Sequence, residues 1–469
     1  MTDVDVVVVG YGPAGASAAI AAHDSGARVV VLEAAPAGGG NALYSGGFLF
    51  DLPEERAVAH LDALCFGRTP RDVLEAYARG VHGLSAWLES LGAAMAAFEP
   101  PPMRFPASFP AWPHFPGGRE IRYAVVAGGD GRRGVALWEV LDAAVRARGI
   151  DVRTGSAVDR LLLEDGSAVG VGVRGGDDMR ARSVVLACGG FEADAGLADA
   201  YLPLGPTYPV GHRWNDGAGL RMAQQAGAAL WHMYGFFGWF AVRVPEYAAP
   251  FAIDFFGPGH LLLDADGRRF ADEAGYEVHD RLRALSTYLP RNPNRPALPT
   301  WAVFDETTRL AGPLNGLLGT PNDYVWSADN SAEVERGWIR RGGSPGELAA
   351  ATGLDPRVLA DSLERYNRFA VQGRDEDFGR EPETLVPLDL SRLFAVPTWP
   401  GVAGTTGGPR HDPRGRVLRP DGSVVDGLFA AGAVSLVFGH LIDHGGGLTD
   451  ALVFGRLAGI EAARPRARS

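Results

Sequence analysis

Cysteine is nearly absent: Cys65 and Cys188 are the two in 469 residues. That excludes a disulfide scaffold, an iron–sulfur cluster on the usual four thiolates, and a CxxCH haem attachment. So few thiols suit a reducing cytosol, and a cytoplasmic location is expected. No apolar run reaches the length of about 18 residues that a membrane helix needs. The N-terminus has no basic region and enters a strand directly after Met1-Thr2-Asp3, unlike a signal peptide. An excess of positive charge is also missing. The net charge of −12 argues against non-specific nucleic-acid binding. The Arg-rich tail, Arg464 to Ser469, reads as a frayed, solvated end. The length predicts two or three domains, and no tandem repeat is visible.

What is present begins at once. Val4 to Val9 is an almost unbroken β-branched run leading into Gly10-Tyr11-Gly12-Pro13-Ala14-Gly15. An Ala-rich helical stretch follows, then the apolar run Val29 to Leu32, then Glu33. This is strand, glycine turn, helix, strand and acid, the order of a dinucleotide-binding unit. Gly10 permits the turn, Gly12 lets backbone N–H groups approach a pyrophosphate, and Gly15 lets helix and strand pack closely. Glu33 is placed for a ribose hydroxyl. A second permissive loop, Gly38 to Gly47, suits backbone approach to a flat or charged ligand.

Helical patterns cover Arg71 to Leu91. The segment Pro100 to Gly118 is rich in Pro and aromatics, including Phe105, Phe109, Trp112, His114 and Phe115. It can be neither a regular helix nor a central strand, and reads as a lid, a binding loop or a structural wrap. A helix over Gly134 to Ala147 precedes a strand over Asp151 to Thr154 and a hairpin over Val158 to Val173. Ser183 to Leu186 reads as a buried parallel strand delivering Ala187-Cys188-Gly189-Gly190 to a ligand. From Trp231 to Phe240 the chain turns aromatic, and residues 231–389 read as an inserted mixed domain with a hairpin over Leu261 to Phe270 and a helix near 356 to 371. Glycine-rich loops and short strands then return. The expected order is a dinucleotide domain over 1–230, a cap or substrate domain over 231–389, and a return to the first domain over 390–469.

On these segments the chain resembles the flavoprotein subunit family of fumarate reductase and succinate dehydrogenase, with its 3-ketosteroid and tricarballylate dehydrogenase relatives. Six segments carry the resemblance: the first glycine turn to Glu33; Gly39 to Gly47; Ala187 to Phe191; Asn215 to Ala223; Asp266 to Glu273; and Gly427 to Gly459. It implies an α/β fold, a Rossmann-like FAD-binding domain interrupted by an α+β substrate-binding cap. It implies FAD contacts at Gly10, Gly12, Pro13, Ala14, Gly15, Glu33 and Ala34, and at Gly39, Gly40, Asn41, Ser45, Gly46 and Gly47. Further contacts are implied at Val158, Ala187, Gly189, Asp216, Gly432, Gly447, Leu448 and Thr449. The helix starting near Leu448 would place its N-terminal dipole against a reduced flavin. Covalent relatives attach the ring through a histidine near the second glycine loop. No histidine lies between His23 and His60, so dissociable FAD is expected.

The departures bear on chemistry. Where fumarate reductases carry two histidines and two arginines for binding and protonating a dicarboxylate, this chain has Gly404, Trp239, Glu277 and Ile442. A typical fumarate reductase is therefore not expected. The usual ribityl-contacting acid is replaced by Ala433. The candidate acid/base groups are His440, Asp443 and His444, just before the last glycine loop, with Tyr234, Tyr276 and His279 behind them. The alternative for the two histidines is bonding to backbone or cofactor oxygens only, and for each tyrosine it is core packing. Arg243, Arg281 and Arg283 are candidates for a single carboxylate or are simply solvated. The expected activity is dehydrogenation or reduction of a C–C bond next to a carbonyl or carboxylate on a cyclic or apolar small molecule. An FAD oxidase, a non-redox flavoenzyme (isomerase or dehydratase) and a non-catalytic flavin protein are the alternatives. The electron acceptor stays open among oxygen, a quinone and a redox protein.

Overall fold

The structure is a computed structural model describing residues 4–99, 109–128, 132–286, 296–315 and 320–466. Phe105 and the rest of 100–108, and the last three residues of the Arg-rich tail, lie outside the described residues.

Val6–Val9 is buried throughout and sits inside a six-stranded sheet. It pairs in parallel with Ser183–Leu186 on one side and Val29–Leu32 on the other. Four consecutive valines suit such a strand because both of its faces are covered. Asp151–Arg153 extends the sheet beyond Val29–Leu32, and Val424–Ala430 extends it beyond Ser183–Leu186. Arg416–Leu418 closes that second edge in antiparallel.

The helices Pro13–Asp24 and Gly446–Ala463 join the two ends of the chain. A Cβ on Gly455 would lie 2.5 Å from the Ala14 carbonyl oxygen, and one on Gly459 2.3 Å from that of Ala18. The two backbones touch at these positions because neither helix has a side chain between them.

A second, seven-stranded sheet is organised around Leu393–Thr405. That strand pairs in antiparallel with Phe236–Val242 and with Thr300–Asp305. The aromatic run thus forms a buried strand, with a register shift between Phe237 and Gly238. Phe236, Phe240, Phe251 and Phe304 fill the core beside it. The hairpin expected over Leu261 to Phe270 does not form as such. His260–Leu263 pairs instead with Thr300–Asp305, and only the tip of the hairpin closes, through the Leu263–Arg269 bridge and the Asp264 N–H donating to Arg268 O at 2.8 Å. The reason lies in Arg269, whose buried guanidinium binds both Glu273 and Asp375 and turns that limb away from strand pairing. The helix Pro356–Gln372 starts on Asp355, whose carboxylate accepts from the N–H groups of Arg357 and Val358, and it ends on left-handed Gly373. Among the described residues no helix is long and apolar enough to cross a membrane.

Candidate active site

A cavity of about 720 Å³ runs from the ends of the first sheet's parallel strands to the second sheet. At one end lie Gly10, Gly12, Pro13, Ala14, Glu33, Ala34 and Val158. Gly10 has φ +102°, and a Cβ there would meet the Ala187 carbonyl oxygen at 2.5 Å. A Cβ on Gly15 would stand 1.9 Å from the Gly10 carbonyl oxygen, so Gly15 is required for packing and lies behind the wall. Gly12 differs from both. Its nearest protein neighbour in that direction is 3.9 Å away, so the protein leaves room there for something else. Gly12 caps the helix Pro13–Asp24 without a side-chain hydrogen bond, and the first N–H groups of that helix are left for an anion. The buried Glu33 carboxylate accepts from Tyr11 N–H at 2.6 Å and from Ala35 N–H at 2.7 Å. Burial raises its pKa against the pull of these backbone donors. These donors leave it lone pairs for a ribose hydroxyl.

The middle of the cavity is walled by Gly40, Asn41, Ser45, Gly46 and Gly47, and by Ala187, Gly189 and Asp216 opposite. Asn41 is held by its own surroundings: its amide donates to Ala403 O at 2.9 Å and its oxygen accepts from His212 N–H at 2.6 Å. Buried Glu192 accepts from Asn215 at 2.6 Å and from Asn41 at 3.3 Å, and burial pushes its carboxyl up to about 7. Gly39, Gly432 and Thr449 stand behind the wall. A Cβ on Gly432 would crowd the Ala14 side chain at 2.8 Å, and Thr449 Oγ1 accepts from Phe50 N–H. Gly447 and Leu448 do line the cavity, at the start of the 18-residue helix Gly446–Ala463, whose cap, Gly445, also offers no side chain.

The far end carries ionisable groups. His444 lines the cavity, its ring stacked on Phe109 at 4.0 Å between centroids. Its Nε2 lies 3.4 Å from Glu277 Oε1. The same carboxylate accepts from His279 N–H at 2.7 Å and pairs with His279 Nδ1 at 3.0 Å. Glu277 thus stands between two imidazoles. Burial opposes charge on His279, but Glu277 beside it, with Asp280 and Asp443 behind, raises its pKa above the ordinary value. Asp443, 1% exposed, accepts from the Tyr123 hydroxyl at 2.8 Å and from His444 N–H at 2.7 Å, and its other oxygen lies 3.2 Å from His60 Nε2. Burial and the charge of Asp443 push the Tyr123 phenol well above its usual range.

Of the five residues proposed from sequence for proton transfer, the structure brings Asp443 and His444 to the cavity. His440, Tyr234 and Tyr276 are elsewhere. His440 stacks on Phe66 at 4.4 Å, and burial with nearby Arg283 and Arg68 lowers its pKa to about 4. The Tyr234 hydroxyl donates to Gly439 O and accepts from Arg68. Tyr276 packs against the second sheet's core. The three candidate arginines are engaged too: Arg243 rests on Tyr208 and donates to its hydroxyl, Arg281 pairs with Asp254, and Arg283 pairs with Asp280. Glu277, read in the sequence as a lost arginine, proves to be the centre of the cluster. Tyr123 and His60 carried no sequence signal, since each reaches Asp443 across more than 300 positions.

Besides Glu277, the other three departures have a clear structural setting. Trp239 and Ile442 line the cavity, and a Cβ on Gly404 would strike the Phe237 ring at 2.4 Å.

Residues 5–449 match the FAD binding domain family. The chain belongs to that flavoprotein family. A 3-oxosteroid 1-dehydrogenase of Mycolicibacterium smegmatis is 30% identical, over 100% of this chain and 98% of the relative. A probable fumarate reductase of Shewanella frigidimarina is 28% identical, over 98% of this chain and 74% of the relative. A crystal structure of 3-ketosteroid Δ1-dehydrogenase from Sterolibacterium denitrificans shares the fold, with a TM-score of 0.81 at 23% identity, covering 98% of this chain and 99% of that one. The family is one of FAD-dependent oxidoreductases acting on CH–CH bonds, and the chain is a member. The residues present fit FAD, given the open space at Gly12 and two helix N-termini without side-chain caps on one cavity.

Proposed function

We propose that the protein dehydrogenates, or in reverse reduces, the C–C bond next to a carbonyl in a cyclic, largely apolar substrate. The observation that carries this reading is the Glu277–His279–His444 cluster at the aromatic end of the cavity. Glu33, Gly12 and the first turn of Pro13–Asp24 would hold the ADP half of FAD, and Gly447 with Leu448 would face the flavin. Bound FAD supplies the exchange of a hydride with a substrate carbon.

The companion proton belongs to the protein. His279, whose charged form Glu277 favours against burial, donates a hydrogen bond to the carbonyl oxygen and makes the adjacent C–H more acidic. His444, aligned by Glu277 and packed on Phe109, takes that proton in dehydrogenation and returns it in reduction. Asp443 fixes the loop from which His444 projects. Trp239, Phe237 and Val278 exclude water and favour a flat apolar ring. Glu277 and Ile442 in place of arginines leave a dicarboxylate without its clamp, which speaks against fumarate as substrate.

Anaerobic addition of cyclic ketones to the oxidised holoenzyme tests the proposal. Bleaching of the flavin absorbance is expected with at least one saturated ketone, and recovery of colour when reduced enzyme meets the matching enone. A panel of both that leaves the flavin unchanged would sink the reading. Fast reoxidation by oxygen alone would redefine the enzyme as an oxidase.

A further inference from the structure

The same cavity is electrically lopsided, and this speaks to substrate class beyond a cyclic ketone. Its reacting end holds the carboxylates Glu277 and Asp443, both buried. A second carboxylate brought there on a substrate would be repelled by these two. From His444 an aromatic shelf leads away: Phe109 stacks on His444, Phe98 and Phe48 lie 5.2 and 5.3 Å from Phe109. At the end of the shelf stands Arg133, over the Phe98 ring at 4.9 Å and the Phe48 ring at 5.9 Å. Arg133 lines the cavity and is partly buried. Among the described residues it has no ion pair and no side-chain hydrogen bond, whereas Arg243, Arg281 and Arg283 are all engaged. Its backbone is fixed, because Gly47 and Gly134 pack Arg133 against the second glycine loop.

We infer that Arg133 is an anion anchor, and that the substrate is an apolar ring ketone bearing one carboxylate distal to the reacting carbonyl. The neutral carbonyl end enters toward His279 and His444, and the carboxylate takes the guanidinium at the other end. The fork of N–H donors suits a carboxylate, and the aromatic faces hold the guanidinium plane in place. The shelf between them matches a flat hydrophobic body. This rests on the reading of the cavity above as a ring-ketone site, and a binding measurement separates the two.

The oxidised holoenzyme is titrated with 4-hydroxybenzoate and, separately, with phenol, following the flavin difference spectrum. The wild type is expected to prefer the carboxylated ring by about tenfold or more, since a charge-assisted hydrogen bond is at stake. Arg133→Ala should bring the ratio of the two dissociation constants near one, Arg133→Lys should keep part of the preference, and Arg133→Glu should invert it. Retained flavin in each variant shows that it is folded. Equal affinities in the wild type, or a preference that survives Arg133→Ala, would overturn the inference. Failure of every ketone to bleach the flavin would overturn the ring-ketone reading instead, and leaves this binding ratio readable.

Discussion

At the scale of single residues, the buried carboxyls decide most. Glu277 is 3% exposed at its side chain and keeps two imidazoles in place. Replacing His444 by Ala removes the group proposed to move the proton and is expected to lower kcat by about 10²–10⁴-fold, with flavin content unchanged, in stopped-flow reduction. Glu192 works differently. Burial raises its pKa to about 7 from the ordinary value, so the native state binds a proton that the unfolded chain releases. For such a carboxyl, native stability is fullest below its ordinary pKa and declines as pH rises toward the raised one. The decline across about pH 4.5 to 7 is on the order of 3 kcal/mol. Glu192→Gln keeps acceptors for Asn215 and Asn41 while removing the charge, so it should flatten this slope in a pH series of melting curves. An unchanged slope would show that Glu192 is not its source.

At the scale of elements, the contact between Pro13–Asp24 and Gly446–Ala463 brings backbone against backbone. A side chain on Gly459 has to displace the Ala18 backbone, not a flexible group. Gly459→Val is expected to cost about 1–3 kcal/mol, seen as a lower urea midpoint with unchanged slope. A variant as stable as the parent would mean that these helices can separate freely. The Ala-rich helix and the terminal glycines were legible one at a time. That they fit each other was not, because the glycine at one end of the chain has its reason in an alanine at the other.

At the scale of the whole molecule, one cavity gathers the first sheet, both end helices and the second sheet. A ligand bound along that cavity stabilises all of them together, by mass action. Removing FAD should lower the melting temperature, and free FAD at 100 times its dissociation constant should restore about 2.7 kcal/mol. With no histidine in the sequence between His23 and His60 to carry the ring covalently, heat or acid should release the flavin into the supernatant. Yellow colour retained on the precipitated chain would refute dissociable binding.

The sequence by itself pointed to FAD through six segments that resemble a flavoprotein family, and it determined the first two parallel strands, the glycine turn and Glu33, because these last rest on contacts within one strand–turn–helix–strand unit. Spacing along the chain is enough to specify them. It also marked where the dicarboxylate clamp is missing. The tertiary structure alone decided what replaced it. Glu277 meets His444, Asp443 meets His60 and Tyr123, and Phe109 meets His444 across hundreds of positions. No local pattern encodes such meetings. His440 shows the same limit from the other side: four residues from His444, it stacks on Phe66 instead of lining the cavity. Burial and electrostatics act through space, and space is set only when the two sheets close on one another.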